Sequence, residues 1–165
     1  RLVGATIVVV KRWVGMALSP SKINHKISVK VGQQFAKYQV CKTYEAILRR
    51  PMTKMTGVIE LPLWSNPNER PRQSINAEYG KPSVTYLEVL QTGENPRVKF
   101  IPHTGRTHQL RVHAADPQGL NSPILGDSLY GQPYQSERLH LHASSLEFVH
   151  PVSQNQVRFT SDTPF

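Results

Sequence analysis

Ser83-Val84-Thr85-Tyr86-Leu87-Glu88-Val89-Leu90 constrains the fold most, because it is β-branched, aromatic or apolar almost throughout. It reads as a strand buried on much of both faces. Residues 5–10, Thr43 to Leu48, Thr56 to Leu63, Val98 to Pro102, Leu139 to Phe148 and Gln156 to Thr160 also have strand character. Helical spacing occurs in Ser28 to Tyr38, where Val31, Phe35 and Tyr38 share a face. It occurs again from Thr107, a capable N-cap, to Ala115, just before Asp116-Pro117. Residues 11–24 read as irregular, with Ser19-Pro20-Ser21 as a turn. Trp64 to Pro82, rich in Pro, Asn, Arg and Gln, reads as a long loop or extended hairpin, and Pro123 to Asp127 as a tight buried connection. Strands outnumber helices and do not alternate as βαβ units would. The expected class is α+β, a mostly antiparallel sheet flanked by a few helices. At 165 residues with no internal repeat, one domain over 1–165 is expected.

Charge narrows the partners. The net charge is +9, and residues 1–44 hold eight Lys or Arg and no Asp or Glu. The first acid is Glu45 and the first Asp is Asp116. A field of one sign attracts a polyanion, usually nucleic acid, although a solvated basic face has the same composition. The same bias fits an organelle transit segment, which sets a mitochondrion or another organelle beside the cytoplasm as locations. No apolar run approaches a membrane span; Ile7-Val8-Val9-Val10 meets Lys11-Arg12 at once and reads as a buried strand. The single cysteine, Cys41, leaves no partner for a disulfide within the chain. It favours a reducing compartment and reads as a small buried hydrophobe.

One segment is chemically dense. His103-Thr104-Gly105-Arg106-Thr107-His108-Gln109-Leu110-Arg111-Val112-His113 carries two arginines, three histidines and a glutamine without an acid. The histidines recur every five residues, which does not gather them on one helix face, and His140 with His142 lack a third ligand, so no metal site is expected. Arg106 lies just before the helix and His108 at its start, where backbone N–H groups favour phosphate.

Thr104 to His113, Pro123-Ile124-Leu125-Gly126-Asp127-Ser128-Leu129-Tyr130-Gly131, Lys42-Thr43-Tyr44-Glu45-Ala46, Arg70-Pro71-Arg72-Gln73, Gly80-Lys81-Pro82 and Leu141 to Pro151 together resemble RNA pseudouridine synthases of the RluA type. The resemblance runs from about Gln33 to Phe165. It implies a catalytic domain of that fold around an RNA-binding cleft. The implied reaction isomerises uridine to pseudouridine in a stem-loop of rRNA or tRNA, without metal or organic cofactor. It gives Tyr44 the role of stacking on the base and assisting proton transfer. It gives Arg111 that of pairing with a nucleophilic Asp. Arg106, Thr107, His108, Gln109 and Lys42 become RNA contacts, and a monomer is expected. Asp127 is expected to cap or bond backbone.

The sequence departs from the family at the nucleophile. The family's His-Arg-Leu-Asp stretch aligns with Arg1-Leu2-Val3, or through Gly15 to Ser19 with Val10, and valine cannot attack a sugar or base. Residues 1–32 read as divergent, and the start at Arg1 suggests a fragment or a processed form. Arg111 is then expected to lack its carboxylate unless another acid, water or RNA phosphate replaces it. Three readings follow: a synthase by family with its nucleophile missing here, a non-catalytic RNA-binding relative in ribosome assembly or structure, or a basic structural domain.

Overall fold

The computed structural model describes residues 25–37, 39–131 and 138–165. Helix α1 spans His25–Ala36 and is followed by β1 (Cys41–Ile47), β2 (Thr56–Glu60) and β3 (Leu63–Trp64). After a 3-10 turn at Pro67–Glu69 come β4 (Ser74–Ile75), β5 (Val84–Gln91) and β6 (Arg97–Pro102). Helix α2 covers Gln109–Ala115, and β7 (Leu141–Val149) and β8 (Gln156–Thr160) complete the order. Six strands form one sheet in the order β2-β5-β6-β1-β7-β8, every pairing antiparallel, and β3 pairs with β4 apart from it. The expected α+β class holds. Strands at residues 5–10 and the turn at Ser19 to Ser21 lie outside the described residues, as do Val3, Val10 and Tyr38.

The sheet is covered unequally, which corrects the reading of Ser83 to Leu90. Along β5, Thr85, Leu87 and Val89 are buried while Tyr86, Glu88 and Leu90 are exposed. Period-two alternation of this kind belongs to a strand with one packed face, not two. In β6, Val98 and Phe100 face inward, and Arg97, Lys99 and Ile101 face outward. The outer face is laced with ion pairs: Glu45–Arg97 at 3.0 Å, Glu147–Arg158 at 3.1 Å, and Glu88–Lys99. Partly solvated pairs such as these contribute at most about 1 kcal/mol each.

Two apolar clusters lie on the inner face. One joins Ala46, Leu48, Leu87, Val89, Val98 and Phe100 to Leu110 and Ala114 of α2 and to Ile124. The other joins Leu146 and Phe148 of β7 to Val31 of α1 and Val40, with Phe35 and Phe159 at its edge. Val31 and Phe35 thus form the apolar stripe that their spacing predicted. Cys41 is exposed, contrary to its expected burial, because its register partner is Glu147 on the outer face. Among the described residues no helix is long and apolar enough to cross a membrane.

β1 runs between these clusters. Lys42 stands opposite Leu146 of the second cluster, and Tyr44 opposite Phe100 of the first. Directly opposed residues share a face, so Lys42 and Tyr44 point inward at the seam between α1 and α2. Thr43 pairs with Ser145 and Tyr44 with Ala143, which leaves Ser144 as an extra residue, a bulge in β7 beside that seam.

Candidate RNA-modifying site

Arg111 is 6% exposed on α2, yet it is not without a carboxylate. Its Nε donates to Asp127 Oδ2 at 2.8 Å and its Nη2 to Oδ1 at 2.5 Å. This corrects the expected loss of a partner: of the replacements open to Arg111, another acid supplies it. Asp127 also accepts backbone N–H groups from Leu129 and Tyr130, each at 2.9 Å, so its expected bonding to backbone holds as well. Burial opposes ionisation of this carboxyl, but the Arg111 fork and the two N–H groups outweigh it. They hold Asp127 below the ordinary carboxylate range.

Tyr130 closes the site from a third side. Its ring lies 5.1 Å from the Arg111 guanidinium carbon and 5.7 Å from that of Arg72, within cation–π reach. Its hydroxyl accepts the Gln73 N–H at 2.7 Å and lies 2.9 Å from His108 Nδ1. The contact fits either neutral tautomer of His108, with the hydroxyl donating to Nδ1 or accepting from it. Burial, then the Arg111 charge, lowers the His108 pKa and favours the neutral ring.

Helix α2 starts later than its sequence suggested. His108, not Thr107, is the N-cap, in a left-handed conformation (φ 55°) and without a side-chain cap. The reason is Gln109. Its Oε1 accepts the Arg106 N–H at 2.9 Å and the Thr104 hydroxyl at 2.8 Å. Its Nε2 donates to Val84 O and Thr85 Oγ1. At 3% exposure and with both ends of its amide satisfied, Gln109 holds the 104–106 loop to β5. That placement is incompatible with the direct RNA contact expected of it. The network continues through His113, whose Nδ1 lies 3.0 Å from Thr85 Oγ1 and whose Nε2 lies 2.8 Å from Ser83 Oγ. The Ser83 hydroxyl donates to Leu61 O at 2.6 Å.

Of the other expected site residues, Thr107 is exposed and Arg106 half-buried, its Nε donating to Pro82 O at 3.2 Å. Lys42 Nζ sits 3.5 Å from Thr104 O, a long contact, and burial lowers its pKa. Lys42 therefore reaches the same loop that starts α2. Tyr44 is half-buried against the first apolar cluster. Sequence reasoning missed Tyr130 and Gln73 as site residues, and missed Asp127 as the acid that meets Arg111. The usable signal was scarcity: the chain has three Asp in all, and a buried arginine needs one acid. Among the described residues no three His, Cys, Asp or Glu side chains gather as a metal site.

Comparison with known proteins gives these features a lineage. Residues 23–116 match the family model of RNA pseudouridylate synthases. The dual-specificity RNA pseudouridine synthase RluA of Pasteurella multocida is 41% identical over 138 residues, covering 81% of this chain and 62% of that protein. The protein of that name from Haemophilus ducreyi is 38% identical over 156 residues, covering 90% and 68%. The solved human RNA pseudouridylate synthase domain containing 1 superposes with a TM-score of 0.73 at 29% identity, covering 87% of this chain and 62% of that one. The chain thus spans 62% to 68% of these relatives' lengths. The matched residues include β1 and α2, which carry Tyr44 and Arg111, and the chain belongs to the RluA-type RNA pseudouridine synthases.

Proposed function

We propose that the protein isomerises uridine to pseudouridine in a stem-loop of rRNA or tRNA, acting as a cytoplasmic monomer without cofactor. The target uridine leaves its stack and enters the seam between α1 and α2. Tyr44 stacks on the base and assists proton transfer. Arg111 would orient the nucleophilic carboxylate that the reaction requires, a group that no residue before Glu45 supplies. Lys42, Arg106, Thr107 and His108 meet the RNA backbone around the seam. The observation that carries this reading is the fixed guanidinium of Arg111, buried and forked on Asp127, in a signature segment whose loop is also reached by Lys42. A guanidinium held in that way is preorganised for a second anion, and preorganised charge is the main resource of such sites.

The reading requires a nucleophilic carboxylate, and the sequence has no acid before Glu45. The experiment follows from that. The chain, Val3→Asp and Val10→Asp are each incubated with a uridine-containing stem-loop, and pseudouridine is scored by chemical labelling. Turnover by the chain itself supports the activity directly. Turnover gained only with Asp at one valine supports the site and identifies the nucleophile's position. No turnover in any of the three, with RNA bound in a salt-dependent way, moves the function to the RNA-binding relative. Failure to bind RNA leaves only the basic structural domain.

A further inference from the structure

The Arg111–Asp127 pair has more order than folding needs. Both side chains are almost wholly buried, at 8% and 0% exposure. Buried ion pairs are poor devices for stability, since apolar pairs of similar volume often do as well or better. The fork also uses one edge of the guanidinium only. Nε and Nη2 face Asp127, and the planar geometry of the group turns Nη1 away from it. Asp127 cannot follow a substrate, because Oδ1 is tied to Leu129 N, Tyr130 N and Arg111 Nη2 while Oδ2 takes Arg111 Nε. It is an anchor rather than a nucleophile or a proton carrier.

We propose that Asp127 and Tyr130 are positioning residues of the uridine-isomerising site, holding Arg111 so that its Nη1 edge meets an anionic oxygen of the reacting complex. The proposal rests on the function argued above. Asp127 fixes the plane of the guanidinium. Tyr130 fixes its height, with its ring 5.1 Å from the guanidinium carbon. The Tyr130 hydroxyl then ties that ring to His108 at the start of α2 and to Gln73 in the 70–73 segment. One residue therefore registers Arg111, the helix start and the arginine-rich segment against each other. Loosening it misplaces all three without removing any group that touches RNA.

The test compares the chain with Asp127→Asn and Tyr130→Phe. Each is made also in whichever of Val3→Asp or Val10→Asp is active. Nitrogen-15 spectra follow the Arg111 Nε–H, and binding and single-turnover rates are measured with one stem-loop RNA. In the parent, the Nε–H is expected to exchange slowly and to shift on adding RNA. In Asp127→Asn both features are lost. RNA affinity stays within about twofold, while the single-turnover rate falls about 100-fold, the scale of a small misplacement of a catalytic group. Tyr130→Phe keeps the ring and the Nε–H signal, releases the Gln73 amide to exchange, and lowers the rate less. A merely structural role would instead lower the rate only in step with the folded fraction, read by circular dichroism, and would leave the RNA-induced shift intact. That result overturns the proposal, and so does an Asp127→Asn rate equal to the parent's. If no protein turns over, the activity is refuted while the RNA-induced shift of Arg111 still decides the positioning. Its presence in the parent and absence in Asp127→Asn upholds it, and its absence in the parent overturns it.

Discussion

Acid sensitivity is a direct consequence of His113. The side chain is fully buried, and burial pushes its pKa down to about 4. The hydrogen bonds explain why it resists a proton. Ser83 gives its only hydrogen to Leu61 O, so Nε2–H must be the donor to Ser83 Oγ, and Nδ1 accepts from Thr85. Thr85 Oγ1 already accepts from Gln109 Nε2, so a proton on Nδ1 sets donor against donor unless the network turns over. An unfolded histidine titrates near 6.5. Because the folded value is the lower one, the unfolded state binds the proton first. Stability is therefore intact above about pH 6.5 and is lost as pH falls toward 4. The loss approaches 1.4 kcal/mol per pH unit and totals about 3 kcal/mol, of which about 2 falls between about pH 7.5 and pH 5. Against a domain stability of about 5–15 kcal/mol this is measurable. Urea unfolding across that range, for the chain and for His113→Gln, gives two stability curves. Groups common to both cancel in their difference, and Asp127 titrates below the window. The difference should change by about 2 kcal/mol, with His113→Phe as a second variant in case glutamine fits poorly. Parallel curves would show that His113 takes up its proton in the folded state, and the network argument would fall.

Three further outcomes follow from the contacts. Asp127→Ala should destabilise by about 3–5 kcal/mol by leaving Arg111 buried and unpaired, whereas Arg111→Met with Asp127→Leu should restore most of that; urea midpoints of the single and double variants check it. Arg106→Ala should lower the salt slope of RNA affinity by about one, while Gln109→Ala should leave the slope alone and cost about 1–3 kcal/mol of stability. Gly80→Ala should cost about 1–3 kcal/mol in thermal unfolding, because a Cβ there falls 2.2 Å from Asn76 O and 2.8 Å from Pro62.

Much of the fold was legible because it depends on local pattern. β8 runs over Gln156–Thr160, as its spacing predicted, and β1 and β6 start one or two residues early. What local pattern does not carry is the number of layers above a strand. Tyr86 and Leu90 are residues that a buried strand uses, yet they lie on the face that no helix among the described residues covers. Cys41 failed for the same reason, since its outward direction is set by register with Glu147. Thr107 failed on a competition: Gln109 binds the loop that a threonine cap would have needed, and the cap and helix start shift by one residue.

The site was legible by residue and illegible by pairing. Arg111 was singled out from its segment, but sequence states which groups exist, not which acid reaches which base across 16 residues of chain. Asp127 was read as a backbone-bonding turn residue, and that role is real; the same carboxylate has lone pairs enough for both roles. The expectation that fell was an Arg111 without its carboxylate. Its correction changes what the missing nucleophile implies for stability. With Asp127 in place, Arg111 is neutralised inside the residues that build α2 and the turn after it, so this part of the site assembles without a carboxylate from the first 24 residues. Supplying an Asp at Val3 or Val10 is then an addition to a formed guanidinium site rather than the repair of an unpaired charge. It should change activity far more than stability.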